Sequence, residues 1–442
     1  MIEVGPGDVD RAADAEVAAL HALGVQRGDS IGWLGLNGLR PLALLEACQL
    51  LGARYVPLNW RLAAAELAAI AEHAGLQHLL HDEAMRELAT QVHERVVLPQ
   101  PPAPGHEDGD CLLVYTSGTT GEPRGAIHTV AGMQANIEAA IDAQDLGPST
   151  RALAVLPLFH VGGLCIQVLP TLAGGGCVLL HARFDAGAWI DAVEQWRPTT
   201  SLLVPATMRA LLKHPRWCVA DLSSLQFVNT GSQVVPRHVI DAFHARGVPV
   251  CQVYGATETG PVTLVLRPDD ALAHPGSVGR PALGVQVRLV DGEIRVRACN
   301  LARGYHREPN HAAFADGWFH SGDLARVDAD GFYEVIGRST DLIISGGENV
   351  YPTEIEQLAL ADAAVAEAAV VGITDACWGE VPVLAVVARP GMAIDLDRLR
   401  AAFVAGLARY KHPQRIVVLD ALPKTALGKV RKALLAAALT AR

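Results

Sequence analysis

Apolar positions along the first hundred residues switch repeatedly between two periods, and the switches mark alternating helices and strands. Residues 12–23 are alanine-rich with helical spacing, and residues 30–36 form a short apolar run after the Arg27-Gly28-Asp29 turn. A helix is then predicted over 42–51, a strand over 55–58, a helix over 63–74 and a strand over 78–80. Apolar runs at 153–156, 177–180, 201–204, 226–229 and 248–253 carry the alternation onward. Strands and helices in alternation imply a mainly parallel sheet covered on both faces, and so an α/β fold. The Pro-, Gly- and acid-rich segment 98–109 is expected to be a surface linker.

Around residues 276–336 the pattern changes to short strands punctuated by Asp291-Gly292, Asp316-Gly317 and Asp330-Gly331. These pairs predict antiparallel hairpins forming a small barrel or sheet. The last hundred residues have the pattern of a separate α+β unit. Pro352 suits a first helical turn, with Glu354 and Glu356 near its positive end. Strands are predicted at 368–373, 383–388 and 415–419, and Leu399, Phe403, Leu407 and Tyr410 recur at helical spacing.

A chain of 442 residues exceeds one ordinary core, so two or three domains are expected. Half of it is hydrophobic and 19% charged, the balance of a globular protein. The net charge of −11 argues against nucleic acid as a partner. Eight cysteines without a CxxC pair, and seventeen histidines without ligand-like spacing, favour free thiols in a reducing compartment over disulfides or a zinc site. Residues 1–10 are polar and acidic, unlike a signal peptide. The apolar stretch 152–180 is broken by Pro157, His160, Gln167, Pro170 and three glycines, so no integral membrane association is expected. These features lead to the expectation of a soluble cytoplasmic protein, monomeric or homodimeric.

Chemistry enters at residues 115–125, Tyr-Thr-Ser-Gly-Thr-Thr-Gly-Glu-Pro-Arg-Gly. A loop this small, hydroxyl-rich and glycine-rich brings N–H groups and hydroxyls against phosphate oxygens, and Arg124 adds a fixed positive charge. It is not a Walker A loop, because no Gly-Lys-Ser/Thr triplet follows. Four further segments occur in order: Tyr-Gly-Ala-Thr-Glu-Thr at 254–259, Ser-Gly-Asp at 321–323, Gly-Arg-Ser-Thr-Asp-Leu-Ile-Ile-Ser-Gly-Gly-Glu-Asn at 337–349, and Leu-Pro-Lys-Thr-Ala-Leu-Gly-Lys at 422–429. With these segments the chain, from about Gly24 onward, resembles the adenylate-forming (AMP-binding, ANL) superfamily, in its acyl-CoA and aryl-CoA synthetase branch. Arg124 stands where that family more often has Lys, Leu427 where it has Thr, and Thr340 where it has Asp or Lys. The strand–helix region before Ala12 is expected to be shortened or missing relative to the family.

The resemblance implies a large N-terminal domain, residues 1–338, of mainly parallel sheets flanked by helices with a small β-barrel-like part. A small mobile α+β domain, 339–442, would follow. It further implies an ATP-dependent carboxylic acid–CoA ligase using ATP, Mg²⁺ and coenzyme A on a small carboxylic acid. A carboxylate does not acylate a thiol, since oxide is a poor leaving group; transfer of AMP supplies a better one, with pyrophosphate released.

In the family's terms Thr116, Ser117, Gly118, Thr119, Thr120, Gly121 and Arg124 hold the phosphates. Gly231, Ser232 and Gln233 flank the adenine, and Tyr254 stacks on it beside Gly255 and Ala256. Thr257 faces the α-phosphate and Glu258 holds Mg²⁺. Asp323 takes the ribose hydroxyls, and Arg338 the ribose or phosphate. Lys429 is the catalytic lysine for adenylation. Rotation about a hinge after Arg338 replaces it with the Gly346-Gly347 loop of the thiol tunnel.

His160, within Pro-Leu-Phe-His-Val-Gly-Gly-Leu at 157–164, stands where amino-acid-activating domains carry Asp. It is expected to wall the acyl site near the carboxylate. Gly162, Gly163, Gly231 and Gly255 are expected to leave space for a ring or a medium alkyl chain. Arg209 and Arg237 keep o-succinylbenzoate open as the acid. The other reading is a stand-alone enzyme that loads a carrier-protein phosphopantetheine.

Overall fold

The computed structural model describes residues 1–100, 107, 109–117, 123–308, 310–345, 348–375, 378–424 and 430–440. Contacts along the chain divide it into two compact units. The first holds Met1–Gln233, Phe243–Arg288 and Arg295–Ser321; the second holds Val234–Ala242, Leu289–Ile294 and Gly322–Arg442.

Two sheets organise the first unit. The larger has eight strands in the order β1 (Ile2–Val4), β8 (Cys177–Leu180), β7 (Arg151–Ala154), β9 (Thr200–Leu203), β10 (Phe227–Gly231), β11 (Val250–Tyr254), β12 (Leu264–Val265) and β13 (Arg280–Pro281). Strands β8-β7-β9-β10-β11 are mutually parallel, and the edge strands join antiparallel. The second sheet has the order β16 (Gly304–Tyr305), β6 (Pro123–Thr129), β5 (Asp110–Ser117), β3 (Arg54–Pro57), β2 (Ser30–Leu34) and β4 (Leu76–His81). All residues of β2, β3, β9 and β10 are buried, as parallel strands covered on both faces should be.

The helix Leu39–Leu51 shows why its sequence lacks a polar face: Leu42, Ala43, Leu44, Leu45, Ala47 and Cys48 are all buried. Polar pins join the elements where packing alone leaves register open. Trp189 Nε1 donates to Ser201 Oγ at 3.1 Å, and that hydroxyl donates to the Leu153 carbonyl at 2.8 Å. Asn37 donates to the carbonyls of Leu156 and His181, at 2.9 and 3.0 Å, and accepts from Leu158 N. One side chain thus ties the end of β2 to the ends of β7 and β8.

The residues before Ala12 form a strand and the start of a helix. Ile2–Val4 pairs with β8, and the first helix begins at Pro6, not at residue 12, because Pro at the first helical position and Asp8 bonding the Gly5 N–H start it early. Among the described residues no helix is long and apolar enough to cross a membrane. The 152–180 stretch folds as β7, buried helical turns and β8.

A four-stranded sheet has the order β14 (Val285–Val290), β15 (Glu293–Ala298), β17 (Phe319–Val327) and β18 (Tyr333–Arg338). Asp291 and Gly292 both have positive φ, 51° and 80°, and lie between β14 and β15 as expected of a tight hairpin. Asp330-Gly331 sits likewise between β17 and β18. Asp316-Gly317 does not: it closes the 3₁₀ stretch Ala312–Gly317 that leads into β17.

In the second unit β20 (Glu348–Val350), β19 (Ile343–Ser345), β22 (Gly379–Ala388) and β21 (Val365–Asp375) form a sheet, with β23 (Arg415–Val418) parallel to β22. Pro352 opens a helix, Pro352–Ala361, as its position predicts. The helix carrying Leu399 and Phe403 ends at Gly406, so Leu407 lies past its last turn and Tyr410 is exposed.

Two buried imidazoles in the first unit make stability depend on pH. Burial pushes His128 down to about 4, and burial with Arg54 nearby pushes His306 down to about 3. Both folded values lie below the ordinary value of 6.5, so the unfolded chain binds more protons between these limits. The stability they contribute is complete above pH 6.5 and erodes as the pH falls, by up to about 1.4 kcal/mol per pH unit for each histidine. Thermal scans should show the unfolding midpoint falling from pH 7 to pH 5, and His128→Gln should flatten that dependence.

Candidate functional site

Strand pairing builds the base of the 115–125 segment. Along β5 and β6, Tyr115 pairs with Gly125, Thr116 with Arg124 and Ser117 with Pro123, so the two stems of the loop lie side by side. Thr116 Oγ1 is 3.4 Å from the Arg124 carbonyl. Gly118, Thr119, Thr120 and Gly121 lie outside the described residues. The Arg124 guanidinium is 3.5 Å from a Glu308 carboxylate oxygen and 5.4 Å from the centroid of the Tyr305 ring.

The 254–259 motif spans the end of β11 and a 3₁₀ turn, Thr257–Thr259. Tyr254 is half-buried at the strand's last position, and its carbonyl accepts from Thr263 N at 3.1 Å. The Ala256 N–H donates to Thr259 Oγ1 at 2.9 Å, which closes the turn locally. Two buried asparagines hold its far side. Asn300 Nδ2 donates to the Thr259 and Val262 carbonyls, and Asn136 Oδ1 accepts from Val262 N.

Glu258 is 9% exposed. Among the described residues its carboxylate takes one hydrogen bond, from the Tyr305 hydroxyl at 2.5 Å, and no Lys, Arg or His is in ion-pair contact with it. Its carbonyl accepts from Ala302 N at 2.8 Å. Burial, and then the Glu258 charge, push the Tyr305 phenol far above its ordinary value, so it stays a donor. The sequence pattern gave no sign of Tyr305, since the hydrogen bond spans 47 residues and Tyr305 lies in none of the motifs.

Three of the four glycines expected to make room for an acyl group lie against main chain instead. A Cβ would lie 2.2 Å from the Pro157 carbonyl oxygen at Gly163, 2.3 Å from that of Val253 at Gly231, and 1.6 Å from that of Pro261 at Gly255. Each of the three permits two backbone stretches to close on one another. At Gly162 a Cβ would instead meet His160 Nδ1 at 3.2 Å. His160 is half-buried, and its Nδ1 accepts from Gly162 N at 3.1 Å, which puts the ring proton of the neutral form on Nε2. Its neighbour Phe159 packs edge-on against Trp60, with the Arg61 guanidinium 5.7 Å from the Phe159 ring.

Ser232 has positive φ, 69°, an uncommon state for a residue with a Cβ, and both it and Gln233 are exposed. Arg237 is exposed and paired with Asp241 one helical turn on.

In the second unit Asp323 of β17 lies opposite Arg338 of β18, and Arg338 Nε donates to Asp323 Oδ1 at 2.8 Å. The two residues singled out by separate motifs therefore touch. Gly346 and Gly347 lie outside the described residues, but Ser345 and Glu348 on either side of them are paired. Lys429 is also outside them. On either side of the undescribed residues an antiparallel bridge joins Lys424 and Val430, and Arg431 N donates to the Pro423 carbonyl.

Among known proteins, the AMP-binding enzyme family matches residues 7–306, and the AMP-binding enzyme C-terminal domain matches residues 354–429. An indoleacetate–CoA ligase of Aromatoleum aromaticum is 40% identical over 94% of this chain and 89% of its own length. A feruloyl-CoA synthase of an Amycolatopsis species is 40% identical over 93% of this chain and 89% of its own. The crystal structure of an anthranilate CoA ligase in complex with anthranoyl-AMP superimposes with a TM-score of 0.88 at 27% identity, covering 97% of this chain and 91% of that one. Matched from one motif to the next over both family regions, the chain belongs to the AMP-binding enzyme family.

Proposed function

We propose that the protein is an ATP-dependent aromatic acid–CoA ligase. It joins a carboxylate to the AMP part of ATP with release of pyrophosphate, then passes the acyl group to the CoA thiol with release of AMP. The observation that carries this reading is that two relatives, each 40% identical over more than nine tenths of the chain, are named as CoA-thioester-forming enzymes for indoleacetate and ferulate. Seven free cysteines, none in a disulfide among the described residues, support a reducing, cytoplasmic setting.

The donor set around Glu258 fits a hard divalent cation. A carboxylate buried with a phenol, and with no cationic side chain in contact among the described residues, calls for external positive charge. Glu258 would hold Mg²⁺, which when bound offsets the charge of the ATP phosphates. Thr116, Ser117, Gly118, Thr119, Thr120 and Gly121 offer hydroxyls and N–H groups to those phosphates, with Arg124 beside them. Tyr254 offers a ring face to adenine, flanked by Gly231, Ser232, Gln233, Gly255 and Ala256, and Thr257 a hydroxyl to the α-phosphate. Asp323, oriented by Arg338, takes the ribose hydroxyls.

His160 presents Nε2–H toward the acid's carboxylate. We assign Lys429 to the charge that develops in adenylation, and Gly346 and Gly347 to passage of the thiol. The division of labour falls between residues 1–338 and 339–442.

Pyrophosphate release should be measured with MgATP across benzoates, cinnamates, indoleacetate, medium-chain fatty acids, o-succinylbenzoate and amino acids, with and without CoA. CoA-dependent turnover confined to aromatic acids is the expected outcome. Release that CoA does not accelerate would point to a carrier-protein thiol as acceptor instead. Lys429→Ala should slow adenylation by about 100-fold or more while thioester formation from supplied acyl-adenylate persists. Gly347→Leu should do the reverse, sparing pyrophosphate release and blocking the thioester; equal loss of both half-reactions would remove Gly347 from the thiol path.

A further inference from the structure

Tyr305 joins two parts of the candidate site that the sequence keeps far apart. Its hydroxyl donates to Glu258 Oε1 at 2.5 Å, and its ring lies 5.4 Å from the Arg124 guanidinium at the stem of the phosphate loop. Several constraints place it. Gly304 and Tyr305 pair with Ile127 and Ala126 of β6, and the flanking amides of Arg303 and His306 donate to the Ile127 and Gly125 carbonyls at 2.8 and 2.7 Å. Arg303 grips Asp110 through two hydrogen bonds, 3.0 and 2.8 Å. His311 and Phe314 meet the Tyr305 ring edge-to-face, at 4.8 and 5.4 Å between centroids. The strand cannot slide, so the phenol oxygen is a fixed point against which the Glu258 carboxylate is set.

We propose that Tyr305 is the positioning residue for Glu258: its hydroxyl occupies one carboxylate oxygen and leaves the other as a single-oxygen ligand for the divalent cation that accompanies ATP, while its ring holds Arg124 beside the phosphates. The proposal rests on the reading of Glu258 as that cation's ligand. Mg²⁺ demands near-octahedral geometry and binds one or two carboxylates alongside substrate phosphates, whereas Ca²⁺ accepts both oxygens of one carboxylate. A hydrogen bond that denies Glu258 its second oxygen therefore favours the smaller ion. Arg124 is placed by the same ring, at a distance where a cation is attracted to the π face. One side chain thus sets two charges of opposite sign on the same substrate group.

Tyr305→Phe separates these roles, because it keeps the ring and every ring contact and removes the hydroxyl alone. ATP binding should be followed by calorimetry without acid, so that no nucleotide is consumed, in Mg²⁺, in Ca²⁺ and in chelator. The expected result is about a tenfold loss of affinity in Mg²⁺, the size of one hydrogen bond to a charged group, with a smaller loss in Ca²⁺ and none in chelator. Thioester formation from supplied acyl-adenylate should be unchanged.

Equal losses in all three media would overturn the proposal and make Tyr305 a packing residue, and unchanged Mg²⁺-dependent binding would overturn it as well. Tyr305→p-aminophenylalanine restores a donor on the same ring and should recover the preference for Mg²⁺. If Tyr305→Phe does not fold, that variant against wild type carries the test, and loss of the preference with the donor present overturns the proposal. Wild-type protein that binds MgATP but adenylates no acid would sink the proposed function while leaving the comparison of cations intact.

Discussion

Among the described residues of the candidate site the closest backbone approach is at Gly255, just past the end of β11, where the chain folds back so tightly that a Cβ would sit 1.6 Å from the Pro261 carbonyl oxygen. No side chain can relieve that contact, because the obstructing atom is main chain. The fold-back turns residues 257–259 into a short 3₁₀ turn and buries all three side chains, Glu258 among them. Buried polar atoms must find partners, and the turn's partners come from distant parts of the first unit. Asn136 and Asn300 satisfy its carbonyls and amides, the Ala302 amide takes the Glu258 carbonyl, and Tyr305 takes the carboxylate. The position of a candidate ligand thus follows from one steric limit and four hydrogen-bonding side chains or amides.

That arrangement explains which features were legible in the sequence. Alternating periods placed the parallel strands of both mixed sheets, β2, β3 and β4 in one and β7 to β11 in the other, to within a few residues, because most of their positions are buried and apolar residues dominate them. β10 and β11 show it most plainly, with Tyr254 emerging at the end of β11 as the motif's position implies. Asp291-Gly292 was legible for a different reason: two successive positive φ angles demand those residue types. Asp316-Gly317 has the same local chemistry and joins no paired strands, because tertiary context decides what a turn connects. Likewise a Pro, an acid and a half-turn of chain outweighed alanine spacing at the start of the first helix, which begins at Pro6.

Site residues were legible where a motif keeps its members close, and illegible where packing brings them together. Tyr305 is the clearest loss, 47 residues from its partner and on a two-residue strand whose own pattern carries no period. The glycines were visible but their purpose was not. From the sequence Gly163, Gly231 and Gly255 could equally leave a pocket open or let backbones touch, and only the carbonyl oxygens beside them decide for touch. Breadth of the acyl site therefore cannot be credited to them. Phe159, Trp60 and Arg61 pack on one another next to His160.

Charge placement gives the same lesson from the other direction. Asp323 and Arg338 satisfy each other across two paired strands, so each is oriented before any ligand arrives, and Arg338 remains half exposed beyond that contact. Glu258 is handled differently: it is buried, held by a neutral donor, and left without a cationic side chain among the described residues. A carboxylate that already had a lysine partner would gain little from a metal ion, since its charge would be spent. Pairing Glu258 with a phenol fixes its direction without cancelling its charge. On the proposed reading, that distinction is what suits Glu258, rather than the paired Asp323, to an incoming cation.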